Sequence, residues 1–353
     1  MDPRFSTPLA LCQWIKGLHT KLTAAVSSSA AASRQWRLMT LLYYTPEFLR
    51  HETGRHPECP ARLVEVARHL EEAELDRRCR RPQWQPVSLD RVARVHSVDY
   101  ADSVRRFARQ GGGRIEQDTV VSEPSYDVAL RAAGAVCDAV ERVVRGQQRR
   151  ALCLVRPPGH HALAAGAMGF CLLNNVAIAA RLATRELGLD RVLVVDWDVH
   201  HGNGTQDAFW ADPQVGFLSI HRWPFYPGTG AADETGSGDA LGTTLNLPVE
   251  MGTPRVDYLA RFAGELERFA DRLRPRLVIV SAGFDSHRED PVGSLGLETE
   301  DFGPLTRTVL DVAAAHAGGR VVSVLEGGYH PRRLAESVEV HLRELLAADD
   351  REG

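Results

Sequence analysis

The feature that most constrains the fold is an alternation of short apolar runs with longer helical patterns. The short runs are rich in Val, Leu and Ile, as strands buried on both faces of a parallel sheet are. The longer stretches carry apolar residues three and four positions apart, the period of an amphipathic helix. Strands that alternate with helices predict an α/β fold with a central, mostly parallel sheet. The runs are 41–44, 152–155, 192–195, 216–220, 277–280 and 321–325, and the helical stretches are 125–144, 255–273 and 305–315.

Composition places the chain among ordinary globular proteins. With 44% hydrophobic and 25% charged residues it is unlike disordered, collagen-like or coiled-coil chains. No apolar run reaches the roughly 18 residues that span a bilayer. The net charge of −4 offers no general attraction to nucleic acid or to an anionic membrane. We therefore expect a soluble protein with neither as a direct partner.

The six cysteines are widely spaced and form no C-x-x-C motif. Neither a disulfide framework nor a thiolate zinc site is indicated, and a reducing cytoplasm is the expected compartment.

Residues 1–38 differ from the rest, because after Asp2 they hold five basic residues and no acidic one, and 27–33 is only Ser and Ala. This segment reads as a disordered or processed extension. It is either an organelle transit peptide or a stretch upstream of a true start at Met39. A single domain is expected over 39–348.

Clusters of polar residues follow the apolar runs directly. The carboxyl ends of strands in an open α/β sheet meet at one crevice, so these distant clusters are expected to form one site. The clusters lie at 156–161, 196–201, 219–221, 281–285 and 326–329.

Asp198, His200 and Asp285 are candidate metal ligands. Asp198 and His200 stand two apart after one strand, and Asp285 can reach the same point from a neighbouring strand end. Three N/O ligands are typical of a catalytic zinc site with an open position, although this set also suits Mn²⁺ or Fe²⁺. Each residue alone has an alternative role in capping a helix or turning a loop. The three together favour a metal.

The tandem His160-His161 supplies groups for proton transfer. An attacking water must lose a proton and a departing amine must gain one, which imidazoles near neutral pKa can do. Asp196 and Asn203 are suitable partners to orient the two rings. Tyr329, after Gly327-Gly328, can donate to a developing oxyanion. The alternatives are a structural Pro-Pro-Gly turn and a tyrosine that only packs.

These residues together resemble the histone deacetylase and acetylpolyamine amidohydrolase superfamily, in a class II-like branch. The resemblance implies an arginase-like, three-layer α/β fold with a sheet of about eight strands, and zinc-dependent hydrolysis of an N-acyl amide. The matching pieces, between about 41 and 345, are 56–58 with Pro60 and 62–63, 156–161, 169–171, 196–205, 227–230, 281–285 and 326–329.

The resemblance also implies roles for individual residues. It implies one zinc ion per chain on Asp198, His200 and Asp285, and catalysis by His160, His161 and Tyr329. It implies a substrate tunnel and a buried structural potassium ion. The tunnel residues are Gly169, Phe170 and Tyr226, with Arg62 at its floor, and the potassium residues are Asp196, Asp198, His200, Ser219 and the carbonyl of Ile220.

Three positions bear on the branch of the family, the substrate and the activity. Asn203 stands where many relatives carry Asp, and Val292 where a polyamine-selective branch carries an acidic gatekeeper. Tyr329, being Tyr and not His, favours an active deacetylase. We expect hydrolysis of acetyl or other short acyl groups from N-acyl lysine in proteins, with acetylated polyamines or other small amides as the alternative.

Two further hypotheses belong to other classes. A binuclear manganese ureohydrolase would need extra carboxylates where Gly283 and Asn203 stand. A non-catalytic acyl-lysine reader would not need the intact metal, histidine and tyrosine set. Acyl length and assembly into a homo-oligomer are left open.

Overall fold

The computed structural model describes residues 39–352, which are built around a seven-stranded sheet. Its strands are β1 (Leu41–Tyr43), β4 (Arg150–Cys153), β5 (Val192–Asp196), β6 (Val215–Arg222), β7 (Thr244–Val249), β8 (Leu277–Ala282) and β9 (Val321–Leu325). The order is β1-β4-β9-β8-β5-β6-β7, and every neighbouring pair is parallel. The predicted α/β class and parallel sheet are confirmed, with seven strands where the resemblance implies about eight. A separate antiparallel hairpin pairs β2 (Gly113–Arg114) with β3 (Val120–Val121).

Helices connect the strands of the sheet. Ser97 caps one of them by accepting from the amide of Tyr100, and Asn174 caps another by accepting from Ala177. The helices are α1 (Ala61–Glu72), α2 (Leu89–Val92), α3 (Val98–Arg109), α4 (Ser125–Val144), α5 (Asn175–Arg185), α6 (Asn203–Phe209), α7 (Arg255–Leu273), α8 (Phe302–His316) and α9 (Pro331–Glu352). The bounds of α4 and α7 are those that the apolar spacing predicts.

Burial distinguishes the central strands from the edge strand β7. Every residue of β5, β8 and β9 is buried, as parallel strands with both faces covered should be. In β7, two residues are only half-buried, and one of them is Pro248, which an edge strand tolerates. β7 is not among the predicted strands, because it follows the glycine-rich stretch 228–242, whose composition is typical of a loop.

The register of the sheet brings the polar clusters to one edge. Asp196, at the end of β5, pairs with Ser219 of β6 on one side and with Ser281 of β8 on the other. The carboxyl ends of these strands therefore lie at one level, as the sequence analysis expects.

The predicted extension, residues 1–38, lies outside the described residues. Among residues 39–352, no helix has the length and apolar character needed to cross a bilayer. The described cysteines are all free.

Candidate active site

Three predicted metal ligands meet at the carboxyl edge of the sheet. Asp198 and His200 follow β5, and Asp285 follows β8, which pairs with β5. Nδ1 of His200 lies 3.0 Å from Oδ1 of Asp198 and 3.0 Å from Oδ2 of Asp285. All three side chains are buried, and within residues 39–352 they form the one cluster of His, Cys, Asp or Glu with the spacing of a metal site. We call this cluster the triad.

The chemistry of the triad fits a divalent cation. Oδ2 of Asp285 is buried and has no hydrogen-bond donor in the described part of the chain, because Nδ1 of His200 is bonded to Asp198, so one acceptor is left for another partner. Ligand atoms about 2 Å from a tetrahedral zinc ion lie about 3.3 Å apart, close to the spacing found around His200. Two carboxylates and one imidazole therefore offer a site that suits zinc.

Two glycines let the backbone approach the triad closely. A Cβ atom at Gly283 would lie 2.1 Å from Oδ2 of Asp198, and one at Gly327 would lie 2.2 Å from Oδ2 of Asp285. The amide of Gly327 donates to Oδ2 of Asp198 at 2.8 Å, and the amide of Val199 donates to Oδ1 of Asp285 at 2.9 Å. Backbone N–H groups thus orient both carboxylates, and a side chain at either glycine would displace them.

The tandem histidines lie beside the triad and have different partners. His160 donates from Nδ1 to Oδ2 of Asp196 at 3.0 Å, and His161 donates from Nδ1 to Oδ1 of Asn203 at 2.7 Å. The two ring centroids are 4.0 Å apart. These are the partners that the sequence analysis names, and each bond fixes the orientation of its ring.

The surroundings shift the pKa values of the two histidines in opposite directions. Burial lowers the pKa of His160, but the carboxylates of Asp196 and Asp198 outweigh it and raise that pKa to about 10. Burial lowers the pKa of His161 well below its usual value, and the charges of His160 and His200 lower it further. His160 is therefore held as a cation and His161 as a neutral imidazole.

Glu326 is a candidate that the sequence analysis did not single out. Its Oε2 accepts from the amide of Gly159 at 2.7 Å and from the amide of His160 at 3.2 Å. The side chain is fully buried, and burial raises the pKa of its carboxyl to about 7. Glu326 thereby holds the turn that carries the tandem histidines. Its place directly after β9 was a signal, but its backbone partners lie far away in sequence.

A fully buried charge cluster, Glu58 with Arg62 and Arg156, supports the glycine turn before Tyr329. Arg156 donates to both oxygens of Glu58, and Arg62 donates to one of them at 3.1 Å. Burial would raise the pKa of Glu58, but the charge of Arg156 outweighs it and lowers that pKa to about 2. Arg62 also donates to the carbonyl oxygen of Gly328 at 2.5 Å. The resemblance to the family includes residues 56–58 and 62–63, but it does not predict that Glu58 pairs with both Arg62 and Arg156.

A cavity of about 260 Å³ reaches the triad and has aromatic walls. Phe170 lies edge-on to Tyr329, with 5.5 Å between ring centroids, and Tyr226 lies edge-on to His161 at 5.2 Å. Phe225, which the sequence analysis missed, stacks on the triad histidine at 5.2 Å. Gly169 completes the wall. Asp118, Tyr226 and Val292 also line the cavity and are partly exposed, as are Phe170 and Phe225, and we call these three residues the tunnel mouth.

The backbone at Gly169 and Phe170 is what directs the Phe170 ring into the cavity. Both residues have positive φ, +56° and +69°. A Cβ atom at Gly169 would lie 2.2 Å from the ring of His161, so only glycine fits there. The amides of Gly169 and Phe170 donate to the side chains of Asp118 and Thr119, each at 3.1 Å. These bonds hold a left-handed conformation that a phenylalanine seldom adopts.

Arg62 and three of the predicted potassium ligands, Asp196, Ser219 and Ile220, are not among the residues that line the cavity. Arg62 is buried, with its guanidinium 4.9 Å from the centroid of the Tyr329 ring, and is not part of the tunnel wall. Ser219 and Ile220 are buried in β6, and Oγ of Ser219 is within 2.9 Å of Nδ1 of His221. Asp196, beside Ser219 in the register, accepts from the amide of residue 198.

Comparison with known proteins identifies the family. Residues 56–345 match the family model described as Histone deacetylase domain. The chain is 40% identical over 323 residues to "Histone deacetylase 10, chloroplastic" of rice, covering 87% of this chain and 73% of that protein. It is 43% identical over 307 residues to human "Polyamine deacetylase HDAC10", covering 82% of this chain and 45% of that protein.

A solved structure agrees with these relatives. The HD domain of HDA15 superposes with a TM-score of 0.83 at 35% identity, over 88% of this chain and 90% of that one. The chain therefore belongs to the histone deacetylase and acetylpolyamine amidohydrolase superfamily, in its class II-like branch, and is a hydrolase of amide bonds.

Proposed function

We propose that this chain is a zinc-dependent deacetylase that removes an acetyl or other short acyl group from N-acyl lysine side chains of proteins. The observation that carries the proposal is the aromatic-walled cavity that ends at the buried triad. Such a cavity admits a long, unbranched side chain and leads its terminal amide to the metal centre. The family model that matches the chain supports amide hydrolysis.

Asp198, His200 and Asp285 would hold the zinc ion, because they offer three ligand atoms and Asp285 keeps one oxygen without a hydrogen bond. When bound, zinc supplies a Lewis acid that polarises the acyl carbonyl and lowers the pKa of water. A binuclear manganese site would need extra carboxylates at positions 283 and 203, but the chain has Gly283 and Asn203 there. One ion per chain is therefore the expected content.

A structural potassium ion belongs to the same proposal. Asp196 and Asp198 are fully buried carboxylates, and a cation beside them would offset their charge. The residues that would hold it are Asp196, Asp198, His200, Ser219 and Ile220.

His161 is the residue that would exchange protons with the substrate, because it lines the cavity and His160 does not. As a neutral imidazole it can accept a proton from the attacking water and return it to the departing lysine amine. Asn203 keeps its ring oriented. His160, held as a cation beside Asp196, adds positive charge near the developing oxyanion.

The hydroxyl of Tyr329 would donate a hydrogen bond to the acyl oxygen, where negative charge develops during attack. Burial raises the pKa of Tyr329 well above its usual value, and the carboxylate of Asp285 raises it further. The phenol therefore keeps its proton at neutral pH and acts as a donor. Phe170 and Tyr226 would pack against the methylene chain of the lysine.

Acetylated polyamines are the second candidate substrate. Two observations favour them: the similarity to the human protein named polyamine deacetylase, and the carboxylate of Asp118 at the tunnel mouth, which attracts a cation. Val292 favours acyl-lysine, because its apolar side chain adds no second carboxylate beside Asp118 to bind the distant ammonium group of a polyamine.

The test is a side-by-side assay of the purified, zinc-loaded full chain on an acetyl-lysine peptide and an acetylated polyamine. We expect faster turnover of the peptide, sensitivity to a metal chelator and inhibition by a hydroxamate. Tyr329→Phe is the matched control, because it keeps the cavity and removes one hydroxyl. Full activity after chelation would contradict the zinc proposal. Faster turnover of the polyamine would make acetylated polyamines, and not acyl-lysine proteins, the proposed substrate class.

A further inference from the structure

Asp290 connects two segments that both reach the tunnel. Its Oδ2 accepts from the amide of Tyr329 at 2.6 Å, and its Oδ1 accepts from the amides of Val292 and Gly293, each at 2.9 Å. The side chain is buried, with 8% of its surface exposed. No ion pair to Asp290 occurs among residues 39–352, so this carboxylate is satisfied by backbone N–H groups.

The two segments carry different functions of the tunnel. Val292 lies at the mouth, on the segment 290–293, which we call the mouth segment. Tyr329 lies further in, after the glycine turn, and both side chains line the same cavity. A contact that fixes both backbones therefore acts on the opening and on the reacting end together.

The mouth segment and Ser294 beside it also make other hydrogen bonds, and the amide of Asp290 itself donates to the carbonyl of His287 at 2.9 Å. The amide of Ser294 donates to the carbonyl of Asp285 at 2.7 Å, and Arg222 donates to the carbonyl of Gly293 at 3.1 Å. The guanidinium of Arg222 also lies 4.1 Å from the centroid of the Phe225 ring. These contacts connect the segment to the triad and to one tunnel wall, and Asp290 makes the bond to Tyr329.

Tyr329 needs such an anchor because of the residues before it. Gly327 and Gly328 give that turn wide conformational freedom, and Gly328 has φ +120°, where other residues are strained. The bond from Asp290 fixes the backbone nitrogen of Tyr329 itself. A charge-assisted bond of this length is among the stronger ones in proteins.

We propose that Asp290 is a positioning residue that couples the mouth segment to Tyr329, so that substrate selectivity and turnover change together when it is replaced. The inference deepens the proposed deacetylase function and rests on it. Asp290 acts through the backbone of Tyr329 and touches no reacting atom. The structure assigns it this role from its three bonds to two segments of one tunnel.

The first test is the substitution Asp290→Asn, made both in the parent chain and in Tyr329→Phe. An amide offers one acceptor oxygen where the carboxylate offered two, so one segment loses its bond. In the parent we expect kcat to fall by about 10- to 100-fold, the cost of a misplaced group, with a change in the kcat/KM ratio between peptide and acetylated polyamine. In Tyr329→Phe the further loss of kcat should be under about threefold, because the hydroxyl to be positioned is already gone.

Asp212→Asn is the control for loss of a buried carboxylate away from the tunnel. Asp212 is as buried as Asp290, at 7% exposed, and accepts from the amide of Gln214 at 2.9 Å, but it also pairs with Arg181, and its loop does not line the tunnel. This variant should leave kcat and selectivity unchanged. The proposal is wrong if Asp290→Asn lowers kcat by the same factor in the parent and in Tyr329→Phe, or if the kcat/KM ratio between peptide and polyamine does not change. Asp290 would then have only a structural role.

The second test does not depend on activity. Amide hydrogen exchange should accelerate together at the segments containing Val292 and Tyr329 in Asp290→Ala, which removes both acceptor oxygens, and at neither of them in Asp212→Ala. Acceleration at one segment alone, or at neither, would overturn the coupling. If the parent chain hydrolyses no acyl amide, the proposed function fails, while the exchange measurement still decides whether Asp290 joins the two segments.

Discussion

The buried charge cluster and the tunnel mouth lie near the same cavity but are built on different principles. Glu58, Arg62 and Arg156 are fully buried, and the two guanidinium groups share one carboxylate. At the mouth, Tyr226 is 37% exposed and Val292 is half-buried, and the one charged residue, Asp118, is only partly buried. Removing one partner of a buried ion pair leaves the other charge uncompensated and destabilises the fold. A new side chain at the mouth stays in contact with water, so its effect on stability is small.

This difference teaches where each property of the chain can change. The groups proposed to act in catalysis depend on backbone turns held by buried carboxylates, so we expect them to tolerate little variation. The residues proposed to meet the rest of the substrate are partly exposed, and we expect their substitution to cost little stability. We therefore expect the variants below to fall into two classes, large effects on rate or stability from buried groups and small effects on selectivity from the mouth.

The largest effect is expected from Asp285→Ala. Three ligands leave no redundancy, so zinc binding and turnover should be abolished together. Elemental analysis of the purified variant beside an acetyl-lysine assay measures both. Bound zinc at one ion per chain in Asp285→Ala would remove Asp285 from the metal site.

Tyr329→Phe should lower kcat by about 10²–10³, the usual cost of one oxyanion donor. The hydroxyl acts on charge that develops in the transition state, so KM should change little. Steady-state kinetics with unchanged zinc content is the measurement. A variant as active as the parent would return Tyr329 to a packing role.

Glu58→Gln should destabilise the fold by about 3 kcal/mol, because two buried arginines lose their negative partner. Denaturant unfolding of the zinc-loaded protein gives the free energy of unfolding. A decrease in the free energy of unfolding below about 1 kcal/mol would show that the buried charge cluster is no more sensitive to substitution than the surface. It would contradict the contrast with the tunnel mouth.

The same carboxyl predicts a pH dependence. The pKa of Glu58 is about 2 in the folded chain against an ordinary value of 4.5, so it is depressed by folding. Its stabilisation is therefore fully present above about pH 4.5 and is lost as the pH falls toward 2. Between these values the free energy of unfolding should fall less steeply with acid in Glu58→Gln than in the parent.

The smallest effect is expected at the mouth, from Val292→Glu. An added carboxylate at a partly exposed position should improve kcat/KM for an acetylated polyamine relative to the peptide by about two- to fivefold. Raising the salt concentration should reduce this gain. A loss of kcat beyond tenfold on the peptide would place the mouth among the sensitive regions and contradict the division.

Local patterns predicted the parts of the site that follow from strand ends. Asp198, His200 and Asp285 stand directly after apolar runs, and a parallel sheet brings such positions to one edge. Glu326 and Asp290 were not predicted as site residues, because their partners are backbone N–H groups of distant turns. A sequence pattern records which side chains are present but not which amides a folded turn presents to them.

Phe225 and β7 were missed for a local reason. Both flank the glycine-rich stretch 228–242, where weak periodicity favours a loop. Phe225 reaches the triad only because the chain turns at Phe225 and Gly228, where the amide of Gly228 donates to the carbonyl of Phe225 at 2.9 Å.

The glycines beside the triad also limit how this chain can evolve. A carboxylate at position 283 is one of the changes that a second metal ion would require, yet even the first carbon of a side chain there would lie 2.1 Å from Asp198. A single substitution there would thus displace Asp198 from the triad before a second site formed. In this chain a steric barrier therefore opposes a second metal ion, and overcoming it would require coordinated changes in the backbone of two strand ends.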